Sequence, residues 1–185
     1  MRLFCGLSLA YEVRRNLELL FEHLHPLAAL HWSPPNNWHV TTKFIGEWPD
    51  ERVGQIKEIL AGLPAAAVPV HVGGLGWFPN PHQPRVFYVG VEPTPELTAL
   101  ARDTDRALAR IGVAAETKPY QPHITLARIK GAPDLSALRR SVAALPSSDC
   151  GRYRAVRHLL YRSRTSPEGS VYSVEAEFPL GGDKP

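Results

Sequence analysis

Residues 37–46 read NWHVTTKFIG and residues 120–129 read YQPHITLARI. Each run alternates apolar and polar residues and carries a histidine with a threonine two places on: His39 and Thr41 in the first, His123 and Thr125 in the second. Side chains at i and i+2 of a strand share a face. Each run therefore sets an imidazole beside a hydroxyl on one surface and turns Val40 or Ile124 into a core. A Pro-Asp helix start follows each, at Pro49-Asp50 and Pro133-Asp134. The repetition predicts two related lobes, each offering one histidine strand, at about 38–45 and 122–129, to a shared cleft.

The flanking sequence fits this frame. Residues 2–9 read as the first strand. Val13, Leu17, Leu20, Phe21 and Leu24 recur at helical spacing, which predicts an amphipathic helix over 11–25 that Pro26 stops. Asp50 and Asp134 are placed to cap helices that bury Val53, Ile56 and Leu60 in one case and Leu135, Leu138 and Val142 in the other. Thr94-Pro95 combines an N-cap with a first-turn proline ahead of a third helix through Ile111. Further strands are expected at 67–72, 85–91, 153–162 and 171–178, with GGLGWFPNPHQP (73–84) as a turn-rich connection. Strands and helices mix without strict alternation, so the expected class is α+β with antiparallel sheets. Residues 1–180 read as one domain of two pseudo-symmetric lobes, and 181–185 as a flexible tail.

Composition narrows the field. A chain of 185 residues hides about 70% of its unfolded surface, enough for one domain or two closely packed lobes. Lys and Arg number 21 against 18 Asp and Glu, a net charge of +3, which suits an anionic ligand without demanding one. Hydrophobic content of 44% excludes a disordered chain. Cys5 and Cys150 are too few for a disulfide framework or a cysteine metal cluster and read as buried, reduced thiols. Nothing approaches a transmembrane run, and MRLFCGLSLA (1–10) is cut short by Glu12, Arg14 and Arg15 before it could act as a leader. The expected compartment is the cytoplasm.

An imidazole is the side chain that gives or takes a proton near neutrality. Two of them can divide acid and base work, and threonine hydroxyls can donate to an anion between them. The pattern suits a metal-free site for phosphoryl chemistry. Against it stands the weakness of His-x-Thr alone in a chain of eight histidines. A third match, His31-Trp32-Ser33, runs into Pro34-Pro35 and is set aside. Strand placement, apolar alternates and the helix start that follows favour the other two. His23 and His25 lie in a helix at a spacing that does not face one way, so they do not suggest a metal. Gly73-Gly74-Leu75-Gly76 lacks the full dinucleotide or P-loop pattern and reads as a tight turn. Arg152, Arg154, Arg157, Arg162 and Arg164 form a basic stretch, either a solvated edge or a path for an RNA backbone. Trp77, Phe78 and Tyr161 offer rings for base stacking.

The segments WSPPNNWHVTTKFIGEW, GGLGWFPNPHQPRVFYVGV, PHITLARI and LLYRSRTSPEGSVYSVEAEFPL resemble, in order and spacing, the 2H phosphoesterase superfamily. Within it they are most similar to the RNA 2′,3′-cyclic phosphodiesterases, the LigT-like group once called 2′-5′ RNA ligases. The resemblance covers nearly the whole chain. It implies a bilobal fold with outer helices around a central cleft, no metal or cofactor, catalytic histidines at His39 and His123, and threonine ligands at Thr41 and Thr125. It implies an arginine ligand at Arg128, although strict alternation puts Arg128 on the face opposite His123 and requires a bulge. Lys43 shares the His39 face by the same parity and is a weaker candidate. Thr42 stands where the family usually has an apolar residue.

The implied substrate is an RNA or oligonucleotide with a 2′,3′-cyclic phosphate end, hydrolysed to a 2′-phosphate, with reversible 2′-5′ ligation as a side activity. The resemblance makes His39 the proton donor and His123 the acceptor. Alternatives are a small cyclic phosphate such as ADP-ribose 1″,2″-cyclic phosphate, or a non-catalytic RNA-end binding module, which would not need two proton-transfer groups. No membrane association and no obligate protein partner are expected.

Overall fold

The computed structural model describes residues 1–64, 66–167 and 169–181. All but the first residue of the expected tail, and Glu168 in the last hairpin, lie outside the described residues. The elements run β1 (Arg2–Leu7), α1 (Tyr11–Leu24), β2 (His31–Trp32), β3 (Val40–Glu47), α2 (Val53–Gly62), β4 (Val68–Phe78), β5 (Val86–Val91), α3 (Pro95–Ala109), β6 (His123–Arg128), α4 (Ser136–Ala144), β7 (Gly151–Ala155), β8 (Arg157–Ser166) and β9 (Gly169–Pro179). They form two sheets, ordered β3-β1-β8-β9 and β2-β6-β5-β4-β7. Every strand pairing is antiparallel. The class is α+β, with the two histidine runs on different sheets.

Two cores hold the sheets. Val13, Leu17 and Leu24 of α1 and Leu138 of α4 pack with Val68, Val70, Phe87, Val89, Ile124 and Leu126 of the second sheet. Val53, Ile56 and Leu60 of α2 pack with Leu3, Cys5 and Leu160 of the first. Helix α3 joins them, with Leu97 and Leu100 in the larger core and Leu108 in the smaller. Each such aliphatic side chain contributes roughly 1.5–3 kcal/mol by leaving water. The start of α3 is as its residues require: Thr94 Oγ1 accepts from the Leu97 N–H, with Pro95 in the first turn. Asp134 Oδ1 accepts from the Ser136 N–H at 2.9 Å, but it stands one residue ahead of the N-cap of α4, which is Leu135 and makes no side-chain cap bond. Asp50 does not cap α2; a short 3-10 turn intervenes, and its carboxylate instead sits 3.0 Å from the Met1 ammonium.

Three expectations need correction. The glycines at 73–76 do not end a strand. β4 runs on through Phe78, with a shift of register between Val72 and Leu75 and Gly74 at φ 83°, so the positive φ is used for a bulge inside the ladder. Residues 153–162 are not one strand either. β7 pairs with β4, and one residue later β8 pairs with β1, so the chain changes sheets at Val156. His31-Trp32, set aside as loop, forms a two-residue strand against β6.

The features that matter most for the site are two further bulges. In the β1–β3 ladder Cys5 pairs with Lys43 and Gly6 with Thr41, leaving Thr42 extra. In the β5–β6 ladder Phe87 pairs with Ala127 and Tyr88 with Thr125, leaving Leu126 extra. Both follow the His-x-Thr threonine directly. Each breaks alternation, so Thr42 and Lys43 are both buried, as are Leu126 and Ala127.

The first bulge leaves no room at Gly6, where an added Cβ would lie 2.7 Å from the Val40 carbonyl oxygen and 3.6 Å from the His39 ring. Gly6→Ala is expected to lower stability by on the order of 1–3 kcal/mol through overpacking and to displace the strand that follows His39. Urea unfolding together with the His39 ring proton shifts checks both effects.

Candidate active site

His39 lies one residue before β3 and His123 is the first residue of β6. Both rings are fixed in the same way. His39 Nδ1 is 2.7 Å from the Asn37 carbonyl oxygen, and His123 Nδ1 is 2.7 Å from the Gln121 carbonyl oxygen. A carbonyl can only accept, so each Nδ1 carries a hydrogen and donates it. That leaves Nε2 of each ring as the nitrogen free to take a proton.

His39, Thr41, His123, Thr125 and Arg128 all line one cavity of about 360 Å³. The cavity brings the two imidazoles and two hydroxyls to a common space from opposite sheets. Tyr120 ties the halves together, its hydroxyl donating to the Thr41 carbonyl oxygen at 2.8 Å. The site thus spans a boundary between sheets that is bridged by a hydrogen bond at its rim.

The bulges decide which neighbours join. Beyond Leu126, parity in β6 is reset, and Arg128 is exposed and returned to the His123 face. In β3 the same event works against Lys43. Its side chain turns to the far side of the sheet, 2% exposed, where Nζ meets Asp105 at 2.6 Å, the Ala114 carbonyl oxygen at 2.6 Å and Glu116 at 3.2 Å. Lys43 is therefore an anchor of the bulge and not a ligand in this cavity. Phe44 takes the position that Arg128 holds in β6, facing the cavity at 48% exposure.

Thr42, in place of an apolar residue, does not loosen the packing behind His39. It is 4% exposed and shares a 2.8 Å hydrogen bond with Nε2 of His158, itself 2% exposed. The extra residue of the bulge is thereby fastened to β8 across β1.

The aromatic residues sort differently from the sequence reading. Tyr161 is buried and stacks on Phe4 at 4.9 Å, and Phe4 lies 4.5 Å from the His39 ring. These rings wall the back of His39, so Tyr161 is not free for a base. Trp77 packs on Phe87 at 4.5 Å, with the Arg139 guanidinium 4.9 Å from its ring. Phe78 alone of the three stands beside the site, stacked on Tyr88 at 4.1 Å and edge-on to His123 at 4.8 Å. It borders a second groove of about 800 Å³ that shares Thr41, Phe44 and His123 with the cavity. The five arginines of 152–164 do not make one stripe. Arg152 and Arg154 lie on β7 of the second sheet, Arg157, Arg162 and Arg164 on β8 of the first, and none lines the cavity.

Burial pushes His39 down to about 4, helped by the charges of His123 and Arg128 and opposed by the bond to Asn37. His123 is lowered for the same leading reason, burial, with Arg128 adding to it and Gln121 opposing. In the free protein both rings are thus driven toward neutrality. Among the described residues no group of three or more histidine, cysteine or carboxylate side chains is set to hold a metal ion. No helix of the described chain is long and apolar enough to cross a membrane.

Two antiparallel sheets, each bringing a His-x-Thr strand to one cavity with an arginine at its wall, have the architecture of a 2H phosphoesterase. The family model described as LigT like Phosphoesterase matches the chain twice, over residues 7–88 and 89–172, and the chain belongs to that family. A curated relative from Aquifex aeolicus, named RNA 2′,3′-cyclic phosphodiesterase, is 27% identical across 98% of both chains. One of the same name from Archaeoglobus fulgidus is 31% identical over 60% of this chain and 64% of its own length, so that match spans under two thirds of the relative. A solved structure from Thermus thermophilus superposes with a TM-score of 0.83 at 28% identity, covering 100% of both chains. E. coli LigT complexed with 3′-AMP shares the fold at TM-score 0.80 and 22% identity over 98% of both chains.

His158 is lowered to about 4 by burial. A folded-state value below the ordinary 6.5 means that the native protein binds fewer protons than the unfolded chain. The stability held by its neutral form is complete above pH 6.5 and is lost as pH falls toward 4. His158→Gln keeps a partner for Thr42 but cannot titrate. Its loss of stability between pH 7 and pH 4 is expected to be smaller than that of the native sequence by on the order of 2–3 kcal/mol, read from denaturant curves at the two pH values.

Proposed function

We propose that this protein hydrolyses RNA 2′,3′-cyclic phosphate ends to 2′-phosphomonoesters by two-histidine acid–base catalysis. The observation that carries the reading is the cavity in which His39, His123, Thr41, Thr125 and Arg128 converge. Each imidazole is held by a main-chain carbonyl so that Nε2 is the working atom. The names of full-length relatives supply the substrate class.

The site suits one phosphorus atom held between the rings. A neutral imidazole takes a proton from water as the water oxygen bonds to phosphorus. The protonated imidazole gives its proton to the ribose O3′ as the P–O3′ bond breaks. Thr41, Thr125 and Arg128 donate to the non-bridging oxygens, where charge gathers in the transition state. We assign the acid to His39 and the base to His123, as the family resemblance implies. A bound phosphodiester supplies the negative charge that raises the imidazolium pKa against burial. Ligation is the same ring opening with an RNA 5′-hydroxyl entering in place of water: its oxygen bonds to phosphorus as the P–O3′ bond breaks, which leaves a 2′-5′ phosphodiester. The two family-model matches and the paired bulges support reading the halves as pseudo-symmetric lobes.

His39→Ala and His123→Ala are each expected to lower kcat on a cyclic-phosphate RNA by on the order of 10²-fold or more. A p-nitrophenyl nucleotide diester separates the roles, because its leaving group needs no proton. His39→Ala should regain most of its rate on that ester, and His123→Ala should not. Regain by the other variant would reverse the assignment; near-native turnover of either on RNA would end the mechanism. Exhaustive chelation is expected to leave the rate unchanged, since the cavity wall offers no carboxylate or thiol donors.

The rate should be bell-shaped in pH, with apparent values that belong to the coupled pair. Because burial and Arg128 lower both imidazoles in the free protein, the kcat/KM optimum should lie below the ordinary imidazole value. The kcat profile should lie at higher pH, since the bound anion favours the protonated form. Coincident profiles would contradict that account.

A further inference from the structure

The cavity wall carries two guanidinium groups, Arg128 and Arg2, and no carboxylate. They arrive by different routes. In β6 the bulge delivers Arg128 itself. At the equivalent place in β3 it delivers Phe44, which has no charge. The cation comes from the neighbouring strand instead: Arg2 of β1 lays its guanidinium 5.3 Å from the centre of the Phe44 ring. Arg2 makes no ion pair among the described residues. Glu47, its partner in the ladder, lies instead 3.7 Å from the Met1 ammonium. Ser163, opposite Arg2 on β8, and Ser170 on β9 add hydroxyls to the cavity wall.

Charge matching gives this arrangement a meaning. A 2′,3′-cyclic phosphodiester carries one negative charge. Arg128 and a single imidazolium already exceed it. A third positive group, held on a ring and left without an acidic partner, is surplus to a cyclic mononucleotide. An RNA strand that ends in a cyclic phosphate carries another phosphodiester one nucleotide upstream, and stacked guanidinium groups suit such phosphates.

We propose that Arg2, carried on Phe44 and flanked by Ser163 and Ser170, is the subsite for the second phosphodiester from the RNA end, and that it sets a preference for oligonucleotides over cyclic mononucleotides. The inference rests on the phosphodiesterase reading and extends it to the substrate's length.

The test compares a trinucleotide ending in a 2′,3′-cyclic phosphate with a 2′,3′-cyclic mononucleotide, using the native protein, Arg2→Gln and Arg2→Lys at 50–200 mM salt. Arg2→Gln is expected to lower the trinucleotide-to-mononucleotide ratio of kcat/KM by about tenfold, chiefly through KM, and to reduce the salt slope for the trinucleotide by about 0.7. Arg2→Lys should restore part of both, because a point charge remains. An unchanged ratio and salt slope in Arg2→Gln would overturn the subsite. Calorimetric binding of the 2′-phosphorylated trinucleotide and mononucleotide products gives a readout that does not need turnover. If the native protein binds the trinucleotide more tightly and Arg2→Gln abolishes that difference without any turnover being seen, the subsite stands and the catalytic reading fails. If native turnover is seen but the binding difference survives in Arg2→Gln, the catalytic reading stands and the subsite fails.

Discussion

One extra residue after the threonine of each His-x-Thr run decides that Arg128 and Phe44 face the cavity and that Lys43 does not. Without the bulge at Leu126, Arg128 would project from the other side of β6, among the residues of the larger core. Without the bulge at Thr42, Lys43 would face the cavity and Phe44 would not. A single insertion in a ladder inverts the parity of the side chains that follow it, so two such insertions choose which groups beyond the threonines line the cavity. The one at Thr42 is held in place. Thr42 is bonded to His158, and Lys43 is bound to Asp105 and to the chain beyond α3. Gly6 lets the Val40 carbonyl approach to a distance that a side chain would forbid.

The histidines illustrate how a fold can supply orientation and reactivity by separate means. Orientation comes from main-chain carbonyls two residues upstream, which fix the tautomer at both positions with bonds of equal length. Reactivity comes from burial and from the charge of Arg128, which hold both rings toward the neutral form. The aromatic wall of Phe4, Tyr161 and Tyr172 behind His39 contributes that burial. It has no equal behind His123, where Phe78 and Tyr88 pack at the edge of an open groove. The two histidine strands are thus alike in their bulge and in the carbonyl that orients each ring, and unlike in the side chains that surround the rings.

That difference extends to charge. The half that presents Arg128 directly and the half that presents Phe44 beneath Arg2 reach the same cavity with cations of different placement. In the proposed reading, an asymmetric anion, with the reacting phosphate on one side and the continuing strand on the other, matches that asymmetric pair.

The local sequence by itself determined the elements that bury apolar faces. Strands such as 85–91 and 122–129, the helix from Thr94-Pro95 and the helix over 11–25 are written in periodicities of two and 3.6 and in capping residues. It also singled out the candidate residues at the centre, since His39, Thr41, His123 and Thr125 are related by a spacing that needs no tertiary information. What it could not carry was parity beyond a bulge. An inserted residue leaves propensity and composition unchanged, so Lys43 reads as a weaker candidate ligand, and Arg128 reads as misdirected unless a bulge is supposed. The same limit hid the switch of sheets at Val156, where one residue parts β7 from β8 without a break in strand-forming character. Partnership across strands lies outside any local pattern. Tyr161 behind His39, Thr42 on His158 and Arg2 on Phe44 are fixed by ladder register, and register is settled only when the strands pair in three dimensions.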